Sequence, residues 1–244
     1  ENNNSRAIFH YISALNINKT DIEIINNLII LTLKESNSDE ITKLIDMFNW
    51  CENIKILIQL IKVFISHGNV NLSCKLLEKL DDDLIIKKGL IIRNCILIDD
   101  LKNARILFNK LSIAEIFSII NQGGLDLFDI ILMDLILGNS EFSDKIKDFI
   151  TDNDRKFIHF VHGNYSATGD MEEYYISLLE RCVQLKQYKI FEDLLEYKLY
   201  FNHSVSPRIG NLLYKNEFRE LSVDFYKEVE VNNLDIQALT NLIN

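Results

Sequence analysis

The chain has 244 residues, of which 48% are hydrophobic and 25% charged, and its net charge is −10. Glycine occurs 8 times and proline once, which is too few for a turn-rich β fold and favours helices joined by short polar turns. Because an acidic surface repels phosphate backbones, the charge also disfavours a nucleic-acid partner.

Apolar residues recur at three- and four-residue spacing almost throughout the chain, which is the period of an α-helix. Left-handed C-cap residues or N-caps are expected at the polar breaks, such as those at Gly68, Gly138 and Gly163. The pattern predicts an all-α protein with sixteen helices, at 5–15, 21–35, 38–49, 52–67, 70–80, 84–97, 99–111, 113–121, 125–137, 141–150, 153–162, 170–184, 187–200, 207–214, 216–229 and 233–243.

Sixteen short helices with tight turns do not form a four-helix bundle. They predict an α-α superhelix, a solenoid in which antiparallel helix pairs bury their faces against their neighbours. An internal repeat supports this prediction, because the segment that begins at Val70 matches the segment that begins at Leu101. Both segments carry a small residue, Ser73 in the first and Ala104 in the second, three positions after their start.

The opening stretch shows the spacing of small, aromatic and small residues that marks the second helix of a known repeat. These residues are Ala7, Tyr11 and Ala14, and the segment 22–28 follows like the start of the next repeat. Residues 6–35 therefore resemble a tetratricopeptide (TPR) repeat, although Lys19 replaces the proline that closes the family's repeat. The style of the sequence is also similar to the repeat tails of family-2 glycosyltransferases in clostridial-type bacteria.

The resemblance implies one continuous, right-handed, TPR-like solenoid in three parts. TPR-like helical repeats are expected over 1–111 and 166–244, with an irregular helical segment over 112–165 between them. It also implies a concave groove lined by the first helices of the pairs.

On the predicted helix 21–35 the groove residues are expected to be Glu23, Asn26, Asn27 and Ile30. The basic residues with which some TPR proteins clamp a carboxylate are absent from this set. The asparagine ladder of other members is also absent, because Ile61 stands 34 residues after Asn27. The groove therefore predicts a protein or peptide partner without identifying it.

A second candidate surface is the dense group of aromatic residues between 174 and 226. Two adjacent residues of a helix cannot both point inward, so one member of each aromatic pair should be partly exposed. The sequence therefore predicts an aromatic edge for a partner or for a homodimer, formed by Tyr174, Tyr175, Tyr200 and Phe201.

Motifs for catalysis, metal binding and cofactors are weak. His159 and His162 lie at the i,i+3 spacing that can share a metal ion, but a helix C-terminus also favours histidine. The run Asp81–Asp83 is interpreted as a linker that caps the helix beginning near Leu84, and no glycine-rich phosphate loop or G-x-S-x-G occurs. No catalytic residue, metal or cofactor is predicted.

The scattered cysteines and the termini bear on the compartment. Cys51, Cys74, Cys95 and Cys182 lack metal-site spacing and are predicted to be buried, reduced thiols of a cytoplasmic protein. No secretory signal is recognisable, and the most apolar run, 125–137, is too short to span a bilayer.

These patterns predict a non-catalytic scaffold that binds a protein or peptide partner or docks a neighbouring domain. Two alternatives stay open: the repeat region of a bacterial glycosyltransferase whose catalytic domain lies elsewhere, and a regulatory TPR protein that senses peptides. Because the opening helix resembles the second helix of a repeat, the chain is also expected to be a segment of a longer protein.

Overall fold

The computed structural model describes residues 3–34, 38–163, 171–196 and 205–216, together with 218, 222, 223, 225 and 226. The described residues form 14 α-helices and one 3-10 helix, Trp50–Glu52, and contain no strand. The α-helices are α1 Asn3–Leu15, α2 Ile22–Lys34, α3 Ser38–Met47, α4 Ile54–Ser66, α5 Val70–Leu77, α6 Ile85–Leu97, α7 Leu101–Lys110, α8 Ile113–Asn121, α9 Leu127–Leu137, α10 Glu141–Ile146, α11 Asp152–Val161, α12 Glu172–Gln184, α13 Tyr188–Leu195 and α14 Val205–Lys215. The predicted all-α class is confirmed.

Helix bounds follow the sequence pattern closely. The predicted helix 113–121 is α8 without change, and 21–35 is α2 with its ends moved inward by one residue. The predicted helix 141–150 is shorter and ends at Ile146 as α10. The predicted helix 233–243 lies outside the described residues.

The chain divides into two compact units, Glu1–Leu125 (unit 1) and Asp126–Asn244 (unit 2). The division into repeats over 1–111 and 166–244 with an irregular segment over 112–165 stays a prediction.

In unit 1, helices that follow one another in the chain pack as pairs. α1 packs on α2, α4 on α5, and α6 on α7. A second set of contacts joins alternate helices, because α2 also contacts α4, α4 contacts α6, and α6 contacts α8. The core between them is aliphatic and includes Leu28, Leu60 and Leu90, each fully buried.

Two glycines, Gly89 on α6 and Gly124 in the turn after α8, leave no room for a Cβ atom where they meet. A Cβ atom on Gly89 would lie 2.2 Å from Ile119 Cγ2 and 2.9 Å from the carbonyl carbon of Gly124. A side chain at either glycine would force the backbones apart. Gly124, in the turn after α8, is therefore required for the close packing against α6.

In unit 2, α9 packs on α10, and α12 packs on α9, α13 and α14. Large aromatic side chains fill this core and are fully or almost fully buried: Phe142, Phe157, Phe160, Tyr175 and Tyr226. The Tyr175 hydroxyl donates to the Leu194 carbonyl at 2.8 Å, so this buried polar atom is satisfied.

Two helix starts show how the acidic turns are used. Asp100 caps α7 as predicted, because its carboxylate accepts from the Asn103 N–H at 3.3 Å. The prediction that Asp81–Asp83 caps the next helix is wrong, since Leu84 precedes α6 and no side chain caps it. Asp82 instead accepts from the Lys87 ammonium at 2.6 Å.

Candidate partner-binding surfaces

The four predicted groove residues all lie on α2, whose other face packs into the core of unit 1. Glu23 and Asn27 are exposed one helical turn apart, and Ile30 is half-buried beside them. They form one stripe along the helix, because positions i, i+4 and i+7 share a face. We call Glu23, Asn26, Asn27 and Ile30 the α2 stripe.

Asn26 flanks this stripe and is the one member with an unmet polar group. Its side-chain Oδ1 is enclosed by protein and accepts no hydrogen bond. An enclosed acceptor without a donor costs about 1–3 kcal/mol.

The helices α4 and α6, which follow α2 in the series of alternate helices, carry two lysines that the sequence pattern did not indicate. Lys62 on α4 donates to the Gln122 carbonyl at the C-terminus of α8, at 2.9 Å. Partial burial and the positive charge of Arg93 lower the pKa of Lys62. Lys88 on α6 pairs with Glu115 on α8 at 2.8 Å. Both lysines are therefore engaged within unit 1.

Tyr174 and Tyr175 are adjacent on α12 and point in different directions, as predicted. Tyr175 is fully buried, and burial raises the pKa of its phenol well above the usual range. Tyr174 is half-buried, with its ring 6.1 Å from Phe128 and 5.3 Å from Phe157. Only Tyr174 of this pair has surface to offer a partner, and Tyr200 and Phe201 lie outside the described residues.

A different aromatic pair of unit 2 is more exposed. The rings of Tyr188 and Phe218 lie edge to face, 5.5 Å apart, and are 42% and 38% exposed. In the same region Phe191 and Leu194 are buried. Both exposed rings lie next to a break in the helical pattern, and this break is the feature of the sequence that could have indicated their exposure.

Three charged residues form a partly buried network in unit 2. The Arg181 guanidinium contacts Asp126, and it lies 3.4 Å from the carboxylate of Asp129, which is fully buried. The two aspartates also close a reciprocal cap at the start of α9: Asp126 accepts from the Asp129 N–H at 3.0 Å, and Asp129 accepts from the Asp126 N–H at 2.8 Å.

Asp134 is a second fully buried carboxylate. It accepts from the N–H groups of Phe142 and Ser143 in the first turn of α10, each at 2.8 Å. Burial raises the pKa of Asp134 despite these hydrogen bonds. Like the pair at α9, this carboxylate is used to satisfy a helix end.

The two histidines lie at the end of α11. His159 is exposed, and His162 is the C-cap residue, with an enclosed Nε2 that has no hydrogen-bond partner. Within the described ranges no group of three or more His, Cys, Asp or Glu side chains is arranged to hold a metal ion.

The cysteines are less buried than predicted. All four are free thiols, and only Cys182 is buried; Cys51 and Cys95 are half-exposed, and Cys74 is exposed. The prediction fails for Cys74 because α5 buries Leu72, Ser73, Leu76 and Leu77, which leaves position 74 on the outer face.

No protein-family model matches the chain, and no curated protein matches it significantly. In the part of the chain that the structure describes, every helix is too short or too polar to cross a membrane.

Proposed function

We propose that this chain is a non-catalytic, TPR-like helical scaffold of the cytoplasm that binds a protein partner. The partner is presented as an extended segment, either of another protein or of a neighbouring domain of the same polypeptide. The α2 stripe is the proposed contact.

The observation that carries the proposal is the pattern of helix contacts in unit 1. Contacts of α2 with α4, of α4 with α6, and of α6 with α8 set alternate helices side by side. This is the arrangement that stacked helix pairs require, and it gives one row of helices a shared surface. Such a surface suits an extended peptide, because successive helices contact successive peptide residues.

The polar groups of the α2 stripe agree with recognition of a peptide backbone. Asn27 is exposed and Asn26 holds an unpaired acceptor. An asparagine amide can both donate to a peptide carbonyl and accept from a peptide N–H. This pairing reads the backbone and is tolerant of sequence.

A displayed library of random linear peptides, selected against the immobilised 244-residue chain, tests the proposal. Peptides should be enriched, and their binding should fall at least tenfold in Asn27→Arg, which places a long cation on the stripe. The matched control is Asn71→Arg, because Asn71 is also an exposed helical asparagine but lies on α5, outside the row.

Circular dichroism must show the same helical content in both variants. If Asn27→Arg and Asn71→Arg weaken peptide binding equally, the peptides bind elsewhere and the α2 stripe is rejected as the contact. A selection that returns no peptide above the uncoated-bead background would reject peptide binding.

A further inference from the structure

We propose that Cys51 and Lys79 are an oxidative modification site, at which hydrogen peroxide joins the Cys51 sulfur to the Lys79 side-chain nitrogen. The Lys79 ammonium lies in hydrogen-bonding contact with the thiol, with 3.2 Å between Nζ and Sγ. The residues are 28 positions apart in the chain. The bond would tie the 3-10 helix to the turn after α5.

The backbone that carries Cys51 is held firmly. The neighbouring Trp50 is buried and stacks on Phe48, with 5.2 Å between ring centroids. Its indole N–H donates to the Lys19 carbonyl at 3.0 Å. The thiol is therefore presented from a fixed position.

The turn that carries Lys79 is held as well. Leu80 is buried, and its carbonyl accepts from the Lys87 ammonium at 2.6 Å. The Lys79 N–H donates to the Leu76 carbonyl at 3.1 Å, which continues the last turn of α5. Because both backbones are fixed, a movement of the flexible Lys79 side chain is enough to bring its nitrogen from hydrogen-bonding contact to bonding distance of the Cys51 sulfur.

The other three thiols are less suited to this reaction. Burial raises the pKa of Cys95 to about 11 and that of Cys182 to about 12, and a protonated thiol reacts poorly with peroxide. Cys74 is exposed, but its sulfur contacts the Asn94 amide at 3.1 Å. An amide nitrogen is not a nucleophile, whereas the Lys79 amine is one when it is unprotonated.

The reaction has two balanced steps. The Cys51 thiolate attacks one oxygen of hydrogen peroxide, the O–O bond breaks, and hydroxide leaves and takes up the proton that the thiol has lost, so that water and a sulfenic acid, S–OH, are formed. The unprotonated Lys79 amine then attacks the sulfur, the S–O bond breaks, and the oxygen leaves as water with a proton from nitrogen. Thiol and amine together lose two hydrogens to one peroxide, and a thiol reductant reverses the linkage.

The experiment uses the 244-residue chain with Cys74→Ser, Cys95→Ser and Cys182→Ser, so that no disulfide can form within it. Hydrogen peroxide is added at about pH 8.5, because thiolates and free amines are both more abundant there than at neutral pH. Mass spectrometry should then show a monomer lighter by two hydrogens. Peptide mapping should then find one linked pair containing Cys51 and Lys79, which dithiothreitol separates.

Two charge-preserving variants locate the amine. Lys79→Arg should abolish the linked pair and let Cys51 proceed to sulfinic acid. Lys75→Arg should leave the yield unchanged, since Lys75 is an exposed lysine on the same α5 segment, one turn earlier.

Several results would overturn the site. These are sulfinic acid at Cys51 with Lys79 unmodified, a linked pair that persists in Lys79→Arg, or a bridge that retains an oxygen atom. If the triple variant does not fold, the same peptide map on the wild-type chain decides the question, because a Cys51–Lys79 peptide pair is distinct from any disulfide.

Discussion

Among the described residues, the buried charged side chains are cations in unit 1 and carboxylates in unit 2. They are Lys87 and Arg93 in unit 1, and Asp129 and Asp134 in unit 2. Lys87 donates to a carbonyl in the turn after α5, while Asp134 accepts from two N–H groups at the start of α10. Each sign matches the partial charge of the backbone groups that it meets.

The surfaces differ in the same sense. Unit 1 contains 14 Lys plus Arg and 15 Asp plus Glu, a net charge of −1, whereas unit 2 contains 12 and 21, a net charge of −9. The acidity that disfavours a nucleic-acid partner therefore belongs almost wholly to unit 2. Unit 1, which carries the α2 stripe, is close to neutral, so the proposed peptide partner needs no compensating net charge.

The largest expected effect comes from removing the cation of unit 2. Arg181→Leu leaves the buried Asp129 carboxylate uncompensated and should cost about 3–5 kcal/mol of unfolding free energy. In unit 1, Lys87→Met should cost only about 1–2 kcal/mol, because it loses hydrogen bonds while Asp82 stays hydrated. Urea denaturation measures both.

A second substitution checks the cause of that loss. Adding Asp129→Asn to Arg181→Leu removes the uncompensated charge and should recover part of the stability. Equal losses for Arg181→Leu and Lys87→Met would show that the two units do not differ in this way.

Helical glycines give the next largest contrast. Gly89→Ala in unit 1 should cost about 2–3 kcal/mol, because the new methyl group meets the backbone of Gly124. In Gly210→Ala in unit 2, the new methyl group first meets the Tyr226 ring, 2.5 Å from its Cε1. That ring is buried and its hydroxyl donates to the Asn211 side chain, but a side chain yields more readily than a backbone, so the cost should be lower than for Gly89→Ala, about 1–2 kcal/mol. Thermal unfolding of the two variants, compared with the wild type, tests this order.

Asp134→Asn should cost about 1–2 kcal/mol, because an amide offers one acceptor oxygen to the two N–H groups of α10. The folded-state pKa of Asp134 is raised, so its contribution to stability is full at low pH and decreases as pH rises through the folded value. The loss measured in Asp134→Asn should therefore be larger near pH 3 than at pH 7. Urea titrations at both pH values decide this, and a pH-independent loss would contradict it.

Glu115→Gln should show the smallest effect, with the opposite pH dependence. Hydrogen bonds from Lys88 and Ser112 lower the pKa of Glu115 to about 2, so its contribution is present above the ordinary value and disappears as pH falls toward 2. The variant should be slightly less stable than the wild type at pH 7 and equal to it near pH 2. A difference that grows in acid would be inconsistent with the Lys88 pairing.

Helix positions were predictable because they depend on local signals. The α8 bounds follow from apolar spacing, and α9 ends at Gly138, whose φ of 65° suits glycine. The cap at Asp126 and Asp129 was also readable, since the residues stand three apart before an apolar run.

The remaining contacts had no local signal. Asp134 reaches Phe142 and Ser143 from the preceding helix, and Lys79 reaches Cys51 over 28 positions. The exposure of Cys74 depends on which face of α5 packs inward. Each of these depends on how helices are placed in three dimensions, which apolar spacing does not specify.

Trp50 gives the molecule a built-in optical reporter. It is the single tryptophan of the chain, and it is buried in unit 1 against Phe48. Tryptophan fluorescence, excited selectively, therefore reports the unfolding of unit 1 alone, whereas far-ultraviolet circular dichroism averages over both units. If the two signals change at different denaturant concentrations, the transition that is seen by dichroism but not by tryptophan fluorescence belongs to unit 2. No dye or tag is needed to assign it.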